Sequence, residues 1–386
     1  MAAYMQMGHH TENLVGEEDL QGFSGIVLSP MNRSFDQLRI DVMSFRDQGI
    51  ADVLLDSQLY YPRTERRRLR THTYFPSDLD TADTSDIQWW AQINAGLADY
   101  SQKLEVNTVT SPVVEPRVWN DDYYYVTTQV ANDLKSKVTG SASCLCTLMV
   151  NAREMSQEYM PLRIASLAAD TICDGYYVVF LSDKEPRREF DDAMELAGML
   201  IFLIELKRTG KPVWMSFCGS DMIMFKCAGV DHCCTGKFFN LRRFTRSRYE
   251  EPAGGGGQLS YWFEHSLLGL LREQDILRLQ REGKGDLLGV LHSGNHWARM
   301  IMRRLAEEKG EPWVGLGWRQ YLSWFWRTEL LLKDNPIELV SHWLKTAENN
   351  WLTLEDEDIL LEEPRNDGRW LRPWRQALSR IKKLHQ

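Results

Sequence analysis

Three carboxylates in this chain close short apolar runs: Asp56 after ADVLL, Glu115 after TSPVV, and Asp183 after YYVVFLS. A carboxylate at the end of a buried strand has the chemistry of a general acid, a general base or a nucleophile. The competing role is structural, because an acidic residue there also caps the next helix or pairs with an arginine. Asp56 leads the three, since DSQ directly follows the fully apolar VLL.

A second kind of chemistry is concentrated in residues 229–263, GVDHCCTGKFFNLRRFTRSRYEEPAGGGGQLSYWF. Lys237, Arg242, Arg243, Arg246 and Arg248 stand there among Phe238, Phe239, Phe244 and Tyr249, ahead of a run of glycines that includes Gly254, Gly255 and Gly256. Cations neutralise an anionic ligand, and glycines let backbone N–H groups approach it. A second basic run, with Arg63, Arg66, Arg67, Arg68 and Arg70, follows the Asp56 stretch, and Asn151 and Arg153 end another apolar run. The aromatic rings suit a nucleobase or a nucleic-acid strand, and they suit a protein core equally well. Cys144 and Cys146 share one face of a candidate strand, as do His232 and Cys234. Neither pair has C-x-x-C spacing and the strands are not neighbours, so a core role is expected and no metal site is.

These residues need a frame to bring them together. Short apolar runs alternate with helical patterns from about residue 25 to residue 284, giving eight strands, most of them separated by a helix. Parallel pairing through βαβ crossovers follows, and eight units fit an α/β fold of the (β/α)8 TIM type, which occupies about 250 residues. An open doubly wound sheet is the alternative, but no G-x-G-x-x-G follows the first strand. In a barrel the chemistry gathers at the C-terminal ends of the strands. This count puts the 229–263 stretch in the loops after strands 7 and 8, where a phosphate site is expected, with the Arg63–Arg70 run on the same rim.

Residues 1–24 read as a flexible leader, and residues 285–386 as a helical C-terminal extension. Most of the fourteen tryptophans lie in that extension. They pack it onto the barrel, or they form a docking surface for a protein partner. The apolar run at 193–206 is interrupted by Glu195 and Glu205 and is shorter than the roughly 20 residues of a span, so it reads as a buried helix and no membrane is expected.

The net charge of -9 and pI near 5.6 exclude a generally basic nucleic-acid-binding domain, so an anion must be met by a local patch. Seven irregularly placed cysteines point to a reducing, cytoplasmic setting. No residue pattern specifies a cofactor.

Asp56–Ser57 after the second strand and basic residues after the seventh resemble the tRNA-guanine transglycosylase barrel, in which an Asp–Ser pair opens a glycine-rich base-binding motif. The chain departs from that family in having Gln58, Leu59 and Tyr60 where two glycines would follow, and in lacking its C-x-C-x-x-C zinc spacing. The resemblance implies glycosidic chemistry on a nucleotide or nucleic acid. On the strand-end reading Asp56 would be nucleophile or base and Glu115 or Asp183 its partner, and Lys237, Arg242, Arg243, Arg246, Gly254, Gly255, Gly256, Arg63, Arg67, Asn151 and Arg153 would bind the substrate and its phosphate. The alternative expectation is a non-catalytic barrel subunit that recognises an anion and docks a partner through its C-terminal helices.

Overall fold

Eight parallel strands close into a barrel in simple sequence order. The computed structural model describes residues 2–61, 63, 68–250, 259–289, 295–307, 312–363 and 367–384. The barrel strands are β1 (Ala2–Gln6), β2 (Phe23–Leu28), β3 (Asp52–Leu55), β4 (Thr108–Thr110), β5 (Ser143–Asn151), β6 (Gly175–Leu181), β7 (Val213–Met215) and β8 (His232–Thr235). The expected TIM-type barrel is therefore the observed fold, with its strand count offset by one.

The offset comes from β1. It lies in the stretch expected to be a flexible leader, where a five-residue strand and Met7 are followed by the polar GHHTEN, which masks it in sequence. Its residues Ala3, Tyr4, Met5 and Gln6 are all buried, and it pairs with β2 on one side and β8 on the other. The run beginning at Gly25 is consequently β2, and the run expected as strand 7 is β8. The run expected as strand 8 leaves the barrel: Trp262–Glu264 (β9) pairs with Gly269–Leu271 (β10) in a separate antiparallel hairpin.

Side chains alternate along the strands between two cores, as a two-residue period requires. Tyr4, Val27, Leu54, Leu145, Met149, Tyr177 and Val179 fill the barrel interior. Their neighbours Met5, Ile26, Leu28, Val53, Leu55, Cys144, Cys146, Tyr176 and Val178 face the surrounding helices. Interior packing is tight enough to demand glycine at one point. A Cβ on Gly25 would lie 2.3 Å from the Tyr4 ring.

Helices α1 (Phe35–Asp47), α2 (Ile87–Leu104), α3 (Asp121–Lys137), α4 (Met160–Ala168), α5 (Ala193–Arg208) and α6 (Met222–Cys227) follow β2 to β7 in turn. Polar residues start several of them. Ser34 and Gln37 form a reciprocal capping box, Asp86 accepts from the Gln88 N–H, and Asp192 accepts from the N–H groups of Met194 and Glu195. The run expected as a buried helix is α5, and among the described residues no helix is long and apolar enough to cross a membrane.

The C-terminal part adds α7 (Glu273–Arg281), α8 (His296–Ala306), α9 (Val314–Leu331), α10 (Pro336–Asp356) and α11 (Leu371–Lys382). It does not form an independent unit. Tyr321, Trp324 and Phe325 of α9 and Trp374 of α11 belong to the same hydrophobic core as the outer face of the barrel. Trp324, Trp370 and Trp374 lie in that shared core, with Trp326, Trp343 and Trp351 packed against it, whereas Trp313 is buried in a second core formed by the β9–β10 hairpin, α7 and α8. A buried ion pair joins the two parts, with Lys226 Nζ of α6 2.8 Å from Glu329 of α9.

Candidate functional site

The C-terminal mouth of the barrel is built in two storeys, a sealed polar cluster below and an open cleft above. Asp56 follows β3 directly and is fully buried. It accepts hydrogen bonds from the Gln58 backbone N–H (3.0 Å), Gln58 Nε2 (2.5 Å), the Tyr60 hydroxyl (2.8 Å) and the Tyr177 hydroxyl (3.3 Å). Burial raises its pKa to about 6, against the lowering effect of the hydrogen bonds from Gln58 and Tyr60 and of the Arg248 charge. Gln58 adopts a left-handed backbone conformation (φ 59°) to fold its side chain back onto Asp56, and Phe217 above the β7 end does the same (φ 54°). Both are costly conformations for such residues and are held by the packing around them.

The loop after β8 makes the lid of this lower storey. Phe244 forms a bridge to Leu181 at the end of β6 and packs on Tyr60 and Phe217. Arg248 Nε donates to Gln58 Oε1 (3.2 Å), and the Tyr249 hydroxyl donates to the same oxygen (3.3 Å). Arg248 thereby connects the sealed cluster to the cleft above it, whose wall it also lines.

That cleft has a volume of about 810 Å³. Its walls come from the loop after β1 (Gly8, His9), after β2 (Met31, Asn32), after β6 (Pro186, Arg187), after β8 (Lys237 to Leu241, Arg248), and from Leu259, Tyr261 and Trp318. Lys237 is the central cation. Its amine donates to the His10 carbonyl at 3.0 Å and lies 4.9 Å from the Phe238 ring centre and 4.8 Å from that of Trp318. Among the described residues, no carboxylate lies within ion-pair distance of it. Burial lowers its pKa to about 8, offset in part by Glu12 and reinforced by Arg319. Arg187 reaches the cleft too, gripped by Glu185 (2.6 Å) and donating to the Tyr261 hydroxyl (2.6 Å). Asn240, also in the wall, has a buried Oδ1 with no hydrogen-bond partner among the described residues.

The candidates read from sequence divide sharply on this geometry. Glu115 and Asp183 do meet on the rim, but around a cation: Arg246 donates to Glu115 from Nε (2.9 Å) and to Asp183 from Nη1 (2.8 Å). Neither shares a site with Asp56, which lies beneath the lid. Arg242 is buried, donating to the Gly236 and Lys237 carbonyls (3.0 and 2.9 Å) with its guanidinium 3.4 Å from the Tyr321 ring centre. Arg243 is buried between Asp221 (3.2 Å) and Glu189 (3.3 Å). Of the four phosphate cations expected in the 229–263 stretch, only Lys237 therefore lines the cleft; the other three are engaged by protein groups. Asn151 caps the turn after β5 by accepting from the Arg153 N–H, Arg153 is exposed, and Arg63 is an exposed turn residue. Arg67, Gly254, Gly255 and Gly256 lie outside the described residues.

Cys144 and Cys146 face the helices while Cys234 faces the barrel interior, which keeps the Cys144/Cys146 and His232/Cys234 pairs apart. Among the described residues no cluster of three or more His, Cys, Asp or Glu side chains has metal-site geometry. Sequence reasoning did not pick out Arg187, His9 or Trp318. They come from two loops and from helix α9, far apart in the chain, and only the closed fold makes them neighbours.

No protein-family model and no curated protein matches this chain. Among solved structures it is similar to xylanase B from Clostridium stercorarium F9, at 8% identity over 64% of this chain and 93% of that one, with a TM-score of 0.36. It is also similar to the carboxyl transferase domain of Rhizobium etli pyruvate carboxylase, at 8% identity over 99% of this chain and 60% of that one, again with a TM-score of 0.36. Likeness at this level carries no argument about activity.

Proposed function

We propose that the rim cleft is the ligand site of a barrel enzyme, and that the ligand is an organic anion with a flat apolar part, such as a nucleotide or another ring-bearing phosphate. One observation carries this reading: Lys237 presents a cation in the cleft with, among the described residues, no carboxylate within ion-pair distance, Glu12 acting on it only from further off, and with an aromatic ring on either side. A buried cation without a direct ion-pair partner is costly unless a ligand supplies one, and rings beside it favour a planar group. Arg187 and Asn240 offer further polar contacts, and the cleft volume lies within the range of small-molecule sites. Glycosidic chemistry, suggested by the transglycosylase-like Asp56–Ser57 pair, requires the lid over Asp56 to open.

Isothermal titration with inorganic phosphate and with adenosine monophosphate tests the proposal. The nucleotide is expected to bind at least about tenfold more tightly, a difference of about 1.4 kcal/mol. Lys237→Met is expected to remove most of that affinity without lowering the melting temperature. Equal, weak binding of both ligands that is indifferent to Lys237 defeats the proposal.

A second reading, a non-catalytic binding barrel, draws on a different observation: Glu115 and Asp183 are engaged by Arg246, and Asp56 is sealed. It predicts the same binding with no turnover of any nucleotide tried, whether or not Asp56 is replaced.

A further inference from the structure

Lys237 is held in a way that binding an anion alone does not require. It stands two residues beyond β8, after Gly236, where a Cβ would lie 2.5 Å from Leu241 and 2.9 Å from the Gln6 carbonyl. Its own carbonyl is gripped by Arg242 Nη2 at 2.9 Å. The backbone is thus pinned on both sides, and the amine is pinned once, by the His10 carbonyl. A solvated, mobile surface lysine would neutralise a phosphate as well. A desolvated amine fixed at the end of a barrel strand has, in addition, a directed lone pair.

We propose that Lys237 is an imine-forming amine, condensing with an aldehyde or ketone carbonyl of the anionic ligand that the cleft accepts. The inference rests on the proposed ligand class and adds a reactive group to it. In the first step the neutral amine attacks the carbonyl carbon. A C–N bond forms, the carbonyl π pair moves to oxygen, and the amine proton passes to that oxygen, giving a carbinolamine. The hydroxyl then leaves with a second proton as water, and the C=N bond forms. No oxidant or reductant enters.

The neutral form is accessible because burial lowers the lysine pKa to about 8. Of the charged groups around it, Glu12 opposes that shift and Arg319 supports it, and His9 lies in the same wall with its own pKa lowered by burial. The Phe238 and Trp318 rings favour the ammonium but supply no proton acceptor.

The test uses the full chain with pyridoxal 5′-phosphate, which combines a phosphate, an aromatic ring and an aldehyde, followed by borohydride reduction and peptide mapping. Borohydride delivers hydride to the imine carbon, and solvent supplies the proton to nitrogen. The peptide containing Lys237 is expected to be labelled at least tenfold faster than those containing exposed Lys103 and Lys383, with half-maximal rate near pH 8. Pyridoxine 5′-phosphate, which lacks the carbonyl, is expected to bind and to protect Lys237. Lys237→Arg is expected to bind pyridoxine phosphate and to lose the fast label. If pyridoxine phosphate binds but Lys237 is labelled no faster than the exposed lysines, the imine inference is overturned and the ligand site stands. If pyridoxine phosphate does not bind, the ligand-site reading and the inference fall together.

Discussion

Replacing Asp56 with Asn removes one ionisable group from the barrel interior while keeping its shape, and the consequence depends on pH in a calculable way. In the folded protein the carboxyl is fully buried and its pKa is raised to about 6 from 3.8, mainly by burial. Between those values the native state holds a proton that the unfolded chain has released. The contribution is therefore fully present below about pH 4 and is lost as pH rises through about 6. A rise of about two units corresponds to about 3 kcal/mol. The Asn variant lacks this dependence. Its amide also meets Gln58 Nε2 donor to donor, and Gln58 cannot turn over without withdrawing Oε1 from Arg248 and Tyr249. Urea unfolding of both proteins at intervals from pH 4 to pH 7 isolates the effect, because all other titrating groups cancel in the difference. The stability advantage of the native chain is expected to shrink by about 3 kcal/mol from the acid end to the neutral end. A difference that is flat over this range would refute the argument that burial outweighs the converging hydrogen bonds.

Other perturbations probe the frame around the site. Glu329→Ala strands the Lys226 ammonium between α6 and α9 and is expected to cost about 3–5 kcal/mol, whereas the double change Lys226→Met with Glu329→Leu recovers most of it; urea midpoints separate the two outcomes. Gly198→Ala in α5 should, by helix propensity, stabilise by about 1 kcal/mol. Here the new methyl would lie 1.8 Å from the Met155 carbonyl oxygen, so a loss of about 3 kcal/mol is expected in the same assay. A chain ending at residue 285 is expected to aggregate on size-exclusion chromatography rather than yield a free barrel, because it exposes the outer-face core that Tyr321, Trp324 and Trp374 cover. A soluble, folded fragment would show that the extension is dispensable.

The long strands were legible in sequence because their burial on both faces leaves continuous apolar runs, as in GYYVVFL of β6. β1 was not, since five residues beside a polar segment carry too little pattern, and one of its two partner strands lies more than two hundred residues away. Lys237 stood out by its place among aromatics. Its companions Arg242 and Arg243 stood out for the same reason, yet they are structural. The sequence RRFTRSRY has the composition of a solvated loop, and only closure of the barrel turns Phe244, Arg248 and Tyr249 downward into its mouth. Charge is visible in a sequence, but which carboxylate or carbonyl each cation meets is decided by the fold. That is why Arg246, expected on a phosphate, is found on Glu115 and Asp183.

The pairing of Ala2, Ala3, Tyr4 and Met5 with His232 to Thr235 has a consequence for how the molecule is made. At a synthesis rate of about 5–20 residues per second, roughly 10–50 s separates the two edges of that seam. During this interval the earlier strands form at most an open, curling sheet with unpaired backbone at both margins, and the interior tyrosines and Asp56 remain in contact with water. The seam joins residues about 230 apart, and the Arg319–Glu17 and Trp326–Asp19 contacts span still more, so acquisition of the native state is expected to be slow and all-or-none rather than strand by strand. The site at the rim, drawn from loops on both sides of the seam and from Tyr261 and Trp318 beyond β8, comes into being only after the seam has closed and the extension has docked.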